Sequence, residues 1–304
     1  MGLLDDKVVL VTGGGRGIGR EVALDVARAG AKVAVNDLGA GIGGEAGDET
    51  PADQVVKEIE AMGGQAVANG DSVADSAGAA AMVQAAIDAF GRIDCVVNVA
   101  GILRDAMFHK MEEAQWRAVV DVHMTGSYLV SRAAVEHMKA QGSGSFVHFT
   151  STSGLNGNIG QANYAAAKMG IVGLSRVIAL EGRRYGVRSN ALAPFAWTRM
   201  IESIPIQSDE MAQAFEKFRK GATAAQIAPV VTYLLSDAAQ TISGQVFGVR
   251  GNEIYLMSQP RPVRSLHKDG GWSHDDLAAT VANALQPHLV DMLDTGEFYA
   301  WDPI

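Results

Sequence analysis

From Lys7 to about Val249 the chain repeats one pattern, in which short β-branched runs alternate with longer alanine-rich stretches of helical period. Strands that alternate with helices pair in parallel through helical crossovers, so the pattern predicts an α/β fold built on a doubly wound parallel sheet. Seven strands are expected, at Lys7–Thr12, Lys32–Asp37, Gln65–Asn69, Ile93–Val97, Ser145–Thr150, Val187–Ala193 and Gln245–Val249. Most are continuous apolar runs, as required where helices cover both faces of a sheet. Helices are expected at Gly17–Ala29, Pro51–Met62, Asp75–Phe90, Glu112–Ala140, Gln161–Tyr185 and Ala224–Ser236.

Two stretches break the pattern. Leu38 to Thr50 is glycine-rich and too poor in apolar residues to pack, which predicts a surface loop. Beyond residue 254 comes an extension, residues 255–304, added to one domain over residues 1–254. In it, Gln259-Pro260-Arg261-Pro262 reads as linker and Asp275–Leu293 as an amphipathic helix carrying Leu277, Val281, Leu285, Leu289 and Val290. That stripe predicts docking on the body or on a neighbouring subunit. The basic residues before it, Arg261, Arg264, His267 and Lys268, fit either a solvated surface or the phosphates of a ligand.

At 304 residues and 48% hydrophobic content the chain can bury one large core. Its net charge of −9, without a long run of lysine and arginine, argues against nucleic acid as a partner. Cys95 is the only cysteine, which excludes an intrachain disulfide and a cysteine metal cluster, and no metal site is expected. No apolar stretch approaches the ~20 residues of a membrane span. The first residues lack a basic flank before their apolar run, and the final Asp302-Pro303-Ile304 is not a peroxisomal address. A cytoplasmic protein without a membrane partner is the expectation.

The first strand runs into Thr12-Gly13-Gly14-Gly15-Arg16-Gly17-Ile18-Gly19, which opens the first helix. Glycines at 13, 17 and 19 let backbone approach a pyrophosphate, and the helix start offers unpaired N–H groups and a positive dipole end. This is a Rossmann-type nucleotide turn, with Gly13, Arg16, Gly17, Ile18 and Gly19 as cofactor-binding candidates. Asp37 stands 18 residues after Gly19, at the end of the second strand. It can accept both adenosine ribose hydroxyls and would repel a 2′-phosphate, which selects NAD over NADP. Arg16 keeps open the acceptance of a phosphate. Asp71, with Ser72 beside it, follows the third strand and can meet the adenine edge or simply form a turn.

Tyr164 and Lys168 are four apart and share one helical face, so the Lys168 ammonium reaches both the phenol and anything bound beside it. A free phenol has a pKa of ~10, too high for a base near neutrality, and the lysine charge favours the phenolate. Ser151, 13 residues before Tyr164 and at the end of the fifth strand, can hold a substrate oxygen against the phenol.

Together, TGGGRGIG at 12–19, NVAG at 98–101, Ser151 and YAAAK at 164–168 make the chain resemble the short-chain dehydrogenase/reductase family over residues 5 to about 250. VNDLGAG with the glycine-rich insertion, AGILRD at 100–105 and GNIGQANYAAAK at 157–168 narrow the likeness. They are similar to the (3R)-hydroxyacyl-CoA dehydrogenase part of peroxisomal multifunctional enzyme type 2, also called 17β-hydroxysteroid dehydrogenase type 4. The resemblance implies that Asn98, Ala100 and Gly101 lie at the cofactor, with Asn98 bracing the central strand. It also implies that Pro194 lies there and that Thr198 bonds the nicotinamide carboxamide, although the loop is one residue shorter than in common reductases. Where many members carry a catalytic asparagine this chain has His123, which fits either a water relay to Lys168 or a packing role.

The implied activity is NAD-dependent oxidation of a secondary alcohol to a ketone, with a (3R)-hydroxyacyl-CoA as substrate. Tyr164 takes the hydroxyl proton, Ser151 orients the oxygen and Lys168 anchors the nicotinamide ribose. Rival readings are a hydroxysteroid dehydrogenase, suggested by Phe195, Trp197, Met200 and Ile201, and an NADPH-dependent 3-oxoacyl carrier-protein reductase, which Asp37 opposes. A regulatory scaffold that binds NAD without turnover would not need the phenol. Small residues on the helices near 112–140 and 161–185 suggest a homodimer or homotetramer.

Overall fold

The structure, a computed structural model, describes residues 2–39, 50–197 and 208–302. Most of the glycine-rich stretch, together with Thr198, Met200 and Ile201, lies outside the described residues.

The strands are β1 Val8–Thr12, β2 Lys32–Asn36, β3 Ala66–Asn69, β4 Cys95–Asn98, β5 Gly144–Phe149, β6 Val187–Phe195, β7 Val246–Arg250 and β8 Glu253–Leu256. They form one sheet in the order β3-β2-β1-β4-β5-β6-β7-β8. The pairs from β3 to β7 are all parallel, and β8 lies antiparallel on the edge, with Arg250 opposite Glu253 and Phe247 opposite Leu256. The expected doubly wound sheet is therefore present with eight strands instead of seven. The eighth is a hairpin through Gly251-Asn252, with Gly251 at φ +58°. It is short and half-covered, and Ile254 and Leu256 point outward.

Side chains alternate between two cores. Val9, Val11, Val33, Val35, Cys95 and Val97 pack on one face with α1 Gly17–Arg28 and α2 Pro51–Ala61. Val8, Leu10, Ala34, Val96 and Phe146 pack on the other with α3 Ser76–Phe90. Each fully buried side chain of this kind contributes roughly 1.5–3 kcal/mol. Cys95 is one of them, and burial pushes its thiol up to about 12, as expected for an inert core cysteine.

The stretch expected as one long helix is α4 Glu113–Val120 and α5 Gly126–Gln141, joined without a break by a π-helical turn at Asp121–Thr125. His123 sits in that turn. Beyond β5 come α6 Thr152–Asn156 and α7 Ala162–Gly182, then α8 Asp209–Gly221 and α9 Ala228–Leu235. In the extension, α10 His274–Leu285 and α11 Thr295–Phe298 follow. α10 ends short of the expected Leu293 and has no buried residue, and Leu289 and Val290 are exposed beyond it. No helix among the described residues is long and apolar enough to cross a membrane.

Candidate active site

Strand order reverses between β1 and β4, and a cleft opens there at the carboxyl ends of the strands, where α/β sheets bind ligands. The glycine turn supplies one wall, through Gly13, Arg16, Gly17, Ile18 and Gly19. Asp37, Asp71 and Ser72 continue it, and Ala100, Gly101, His123, Tyr164, Lys168 and Pro194 close the other side. Residues that the motifs did not single out join them, chiefly Val73, Val99, Ile102 and Thr150.

The turn at Gly13 is fixed by close approach. Its φ is +64°, and a Cβ there would lie 2.8 Å from Ala100 Cα, so the turn and the NVAG loop meet backbone to backbone. The Asp37 carboxylate stabilises the same turn: one oxygen accepts the Gly15 N–H at 3.0 Å and the other the Gly39 N–H at 2.9 Å. Each oxygen keeps a lone pair for a further donor. Asp71 accepts from the Asn69 side-chain amide at 2.7 Å, and Asn36 Nδ2 donates to its backbone carbonyl at 2.9 Å. This carboxylate is held by a turn and still faces the cleft.

Asn98 does not line the cleft. It is buried one layer beneath, where its Nδ2 donates to Ser131 Oγ at 3.1 Å and lies 3.1 Å from His148 Nδ1. In register it sits between Thr12 of β1 and His148 of β5, so it ties the central strands to α5. His148 has no motif around it and was not singled out. Burial holds its ring neutral, down to about 3.

Ser151 caps α6. Its Oγ accepts the Ser153 N–H at 3.1 Å, which leaves its own proton free to donate. Tyr164 is half-buried, and desolvation pushes its hydroxyl up to about 12, with Ser151 pulling in the other direction. Lys168 is 4% exposed, and its Nζ lies 5.5 Å from the centre of the Tyr164 ring and donates to the Phe149 carbonyl at 2.6 Å. Burial lowers it to about 7. In the protein alone desolvation dominates at the phenol, whereas the lowering expected from sequence includes the charge of a bound nicotinamide. A cation bound beside the two groups would lower both.

His123 stands edge-on to Tyr164, with ring centres 5.1 Å apart. Its Nε2 lies 3.0 Å from Ile102 N and 2.8 Å from Ile102 O, and its Nδ1 is enclosed without a partner. Burial, and secondarily the Lys168 charge, lower it to about 3. The imidazole is neutral in the working range and braces the loop after β4. Gly101 makes room for it, since a Cβ there would fall 2.2 Å from His123 Cε1.

Gly101→Ala should therefore displace the ring and cost about 1–3 kcal/mol by overpacking. In a His123→Ala background the same change should cost far less; equal costs in chemical denaturation would show that the two residues do not interact. His123→Asn should leave the pH–rate profile between pH 5 and 9 in place, because no proton leaves the ring in that range.

The basic residues of the extension do not gather at the cleft. Arg261 lines a hollow near the amino ends of β5–β7 with Ser145 and Gly244, beside Gln259, whose Nε2 donates to Gly244 O at 2.7 Å. Lys268 pairs with Asp276, and His267 lies 2.9 Å from Asp269.

A sequence profile of the short chain dehydrogenase family matches residues 7–207. Peroxisomal multifunctional enzyme type 2 of Mus musculus is 44% identical over 240 residues, which cover 79% of this chain and 31% of the mouse protein. The chain thus spans about a third of that relative. A short chain dehydrogenase from Mycobacterium avium superposes with a TM-score of 0.82 at 38% identity, covering 94% of this chain and 96% of its own. A 7α-hydroxysteroid dehydrogenase, solved with NADH and 7-oxo glycochenodeoxycholic acid, superposes with a TM-score of 0.73 at 31% identity, covering 82% of this chain and 94% of its own. Likeness in sequence and fold thus runs through the strands and turns that build the cleft, and the chain belongs to the short-chain dehydrogenase/reductase family of oxidoreductases.

Proposed function

We propose that the chain is an NAD-dependent dehydrogenase that oxidises a secondary alcohol to a ketone, with a (3R)-hydroxyacyl-CoA as its substrate. The observation that carries the reading is the convergence of Tyr164 and Lys168, with Lys168 Nζ 5.5 Å from the Tyr164 ring centre, in a cleft that the glycine turn and Asp37 also line, and with Ser151 next to Thr150 of that lining. The backbone approach at Gly13 and the spare lone pairs of Asp37 suit a dinucleotide with free ribose hydroxyls, and the hydroxysteroid dehydrogenase that the chain resembles binds NADH. Gly13–Gly19, Asp37, Ala100 and Gly101 would hold it, with Thr198 at the carboxamide.

NAD⁺, when bound, supplies a hydride acceptor. Ser151, already accepting from Ser153, donates its proton to the substrate oxygen and holds it at the phenol. Tyr164 takes the hydroxyl proton as general base. Lys168, fixed by the Phe149 carbonyl, favours the phenolate by its charge and presents donors to a ribose.

The acyl-CoA assignment is supported by the likeness to the multifunctional enzymes. A hydroxysteroid reading has one observation of its own: Phe195 at the end of β6 packs on Phe218, and Trp197 beyond it on Phe215 and Phe218, an apolar wall suited to a rigid ring system. Initial rates with a panel of (3R)- and (3S)-hydroxyacyl-CoAs and hydroxysteroids, each with NAD⁺ and NADP⁺, decide between them. Turnover of (3R)-hydroxyacyl-CoAs with NAD⁺ at least tenfold above every steroid is expected. Steroid turnover alone would replace the acyl-CoA reading, turnover with NADP⁺ alone would favour a carrier-protein reductase, and none at all would favour a scaffold.

The reading includes one catalytic domain over residues 1–254 with the extension 255–304 attached, a cytoplasmic location, and a homodimer or homotetramer. Exposed Tyr128 on α5 and Met169, Val177 and Leu180 on α7 support subunit packing on that side.

A further inference from the structure

We infer that residues 294–302 form a strap that fixes the substrate side of the catalytic cleft of its own chain, with Tyr299 as the positioning residue. The inference rests on the dehydrogenase reading above. The strap begins at α11, whose Asp294 accepts the N–H groups of Gly296 and Glu297 in a capping box, so a four-residue helix is locally specified. α11 packs on α6, the helix that starts directly after Ser151. Tyr299 is 6% exposed, and its ring lies 5.6 Å from that of Phe195 and 5.7 Å from that of Tyr255. Phe195 follows Pro194, which lines the cleft, and stacks on Phe218 of α8 at 4.9 Å. One segment therefore touches the backbone behind both Ser151 and Pro194.

The far end is latched by Arg250. This guanidinium, in register with Phe195 across β6 and β7, lies 5.3 Å from the Phe195 ring, 5.3 Å from Trp301 and 6.0 Å from Tyr299. It donates to the Trp301 carbonyl and lies 3.4 Å from Glu253, which also accepts the Trp301 indole N–H at 2.9 Å. Outside this end, Lys217 of α8 pairs with Asp302 at 3.1 Å.

The contact is held by rings and charge and not by a well-satisfied polar seam. Arg250 Nε, Thr295 Oγ1 and Asn156 Oδ1 are all enclosed without a hydrogen-bond partner, each a cost that ring packing has to exceed. Removing the Tyr299 ring should release the strap. By contrast α10, without a buried residue, acts as a tether between β8 and the strap. The extension thus docks through its aromatic end, and the glycine turn lies on the other side of the cleft.

The test uses the full chain carrying Tyr299→Ala, Tyr299→Phe or Trp301→Ala. Steady-state kinetics use whichever secondary alcohol the wild type oxidises best; NADH affinity is read by fluorescence, and amide hydrogen exchange by mass spectrometry. Tyr299→Ala should raise KM for the alcohol about tenfold, leave the NADH Kd within twofold, and speed exchange at residues 152–156 and 195–197 but not at 13–19. Tyr299→Phe should match wild type, because the ring and not the hydroxyl makes the contact. Trp301→Ala, at a position 45% exposed, should shift KM and exchange in the same direction by about threefold, and it decides the matter if Tyr299→Ala does not fold. Unchanged KM and exchange overturn the strap, as does a parallel loss of NADH binding, which would mean general destabilisation. A wild type that oxidises steroids and no acyl-CoA overturns the substrate assignment alone, since exchange reads the strap without any substrate.

Discussion

Tyr164→Phe should lower kcat for alcohol oxidation at least about 10²-fold while NADH binding stays within about twofold. The substitution removes only the hydroxyl, so the ring still packs edge-on against His123 and the cleft keeps its shape. What is lost is the proton acceptor beside Ser151. In the wild type, oxidation should rise with pH, because the reactive phenolate forms only as the proton leaves and burial places that event above the ordinary phenol range. Bound NAD⁺ brings the rise to lower pH by stabilising the anion, so the midpoint should fall when cofactor is saturating. Tyr164→Phe should abolish the rise altogether. Ser151→Ala should be milder, since the phenol remains and the alcohol is still confined by the cleft. A Tyr164→Phe enzyme with near-normal kcat would remove the phenol from the chemistry and leave Lys168, itself lowered to about 7, as the group to test next.

The parts legible in sequence are those where chemistry and backbone demand coincide. Alternating strands and helices predicted the sheet, because continuous apolar runs such as Val8–Thr12 suit only strands covered on both faces. Gly13 and Gly101 stood out as glycines, yet only the structure shows what they admit: Ala100 in one case and His123 in the other. The eighth strand beyond the expected seven lies at the sheet edge, where Glu253–Leu256 folds back antiparallel on β7 through Gly251-Asn252 and only alternate side chains are covered. The apolar stripe of the extension, expected to dock on the body or on a neighbouring subunit, does not dock on the body of its own chain. Helical spacing says that Leu277, Val281 and Leu285 share a face, but not whether the body offers a surface to receive it. The aromatic end does dock, and Tyr299, Trp301 and Arg250 carry no periodic pattern; they meet because β7 ends where β6 presents Phe195. His123 was legible as a departure from the family and open in role. The structure adds its placement in a π-helical turn, bonded to Ile102 and edge-on to Tyr164.

Wild-type protein should prefer NAD⁺ to NADP⁺ in kcat/KM by about 10²-fold, or about 2.7 kcal/mol, the scale of a close like-charge contact. The carboxylate of Asp37 is held at the end of β2 by the N–H groups of Gly15 and Gly39, so it cannot swing away from a 2′-phosphate without releasing both donors. That anchoring makes the repulsion effective, since a free surface aspartate would simply rotate into solvent. Asp37→Asn should narrow the preference chiefly by improving NADP⁺. It should also raise KM for NAD⁺ by a few fold, because an amide has one acceptor oxygen where the carboxylate has two, and one of the two N–H groups then loses its partner. The two effects separate in one experiment: measured with both cofactors at several salt concentrations, the NADP⁺ penalty of the wild type should shrink as salt rises, whereas the loss of a hydrogen bond in Asp37→Asn should not. Equal kcat/KM for both cofactors in the wild type would show that Asp37 does not face the adenosine ribose and that Arg16, on the same wall of the cleft, governs the choice instead.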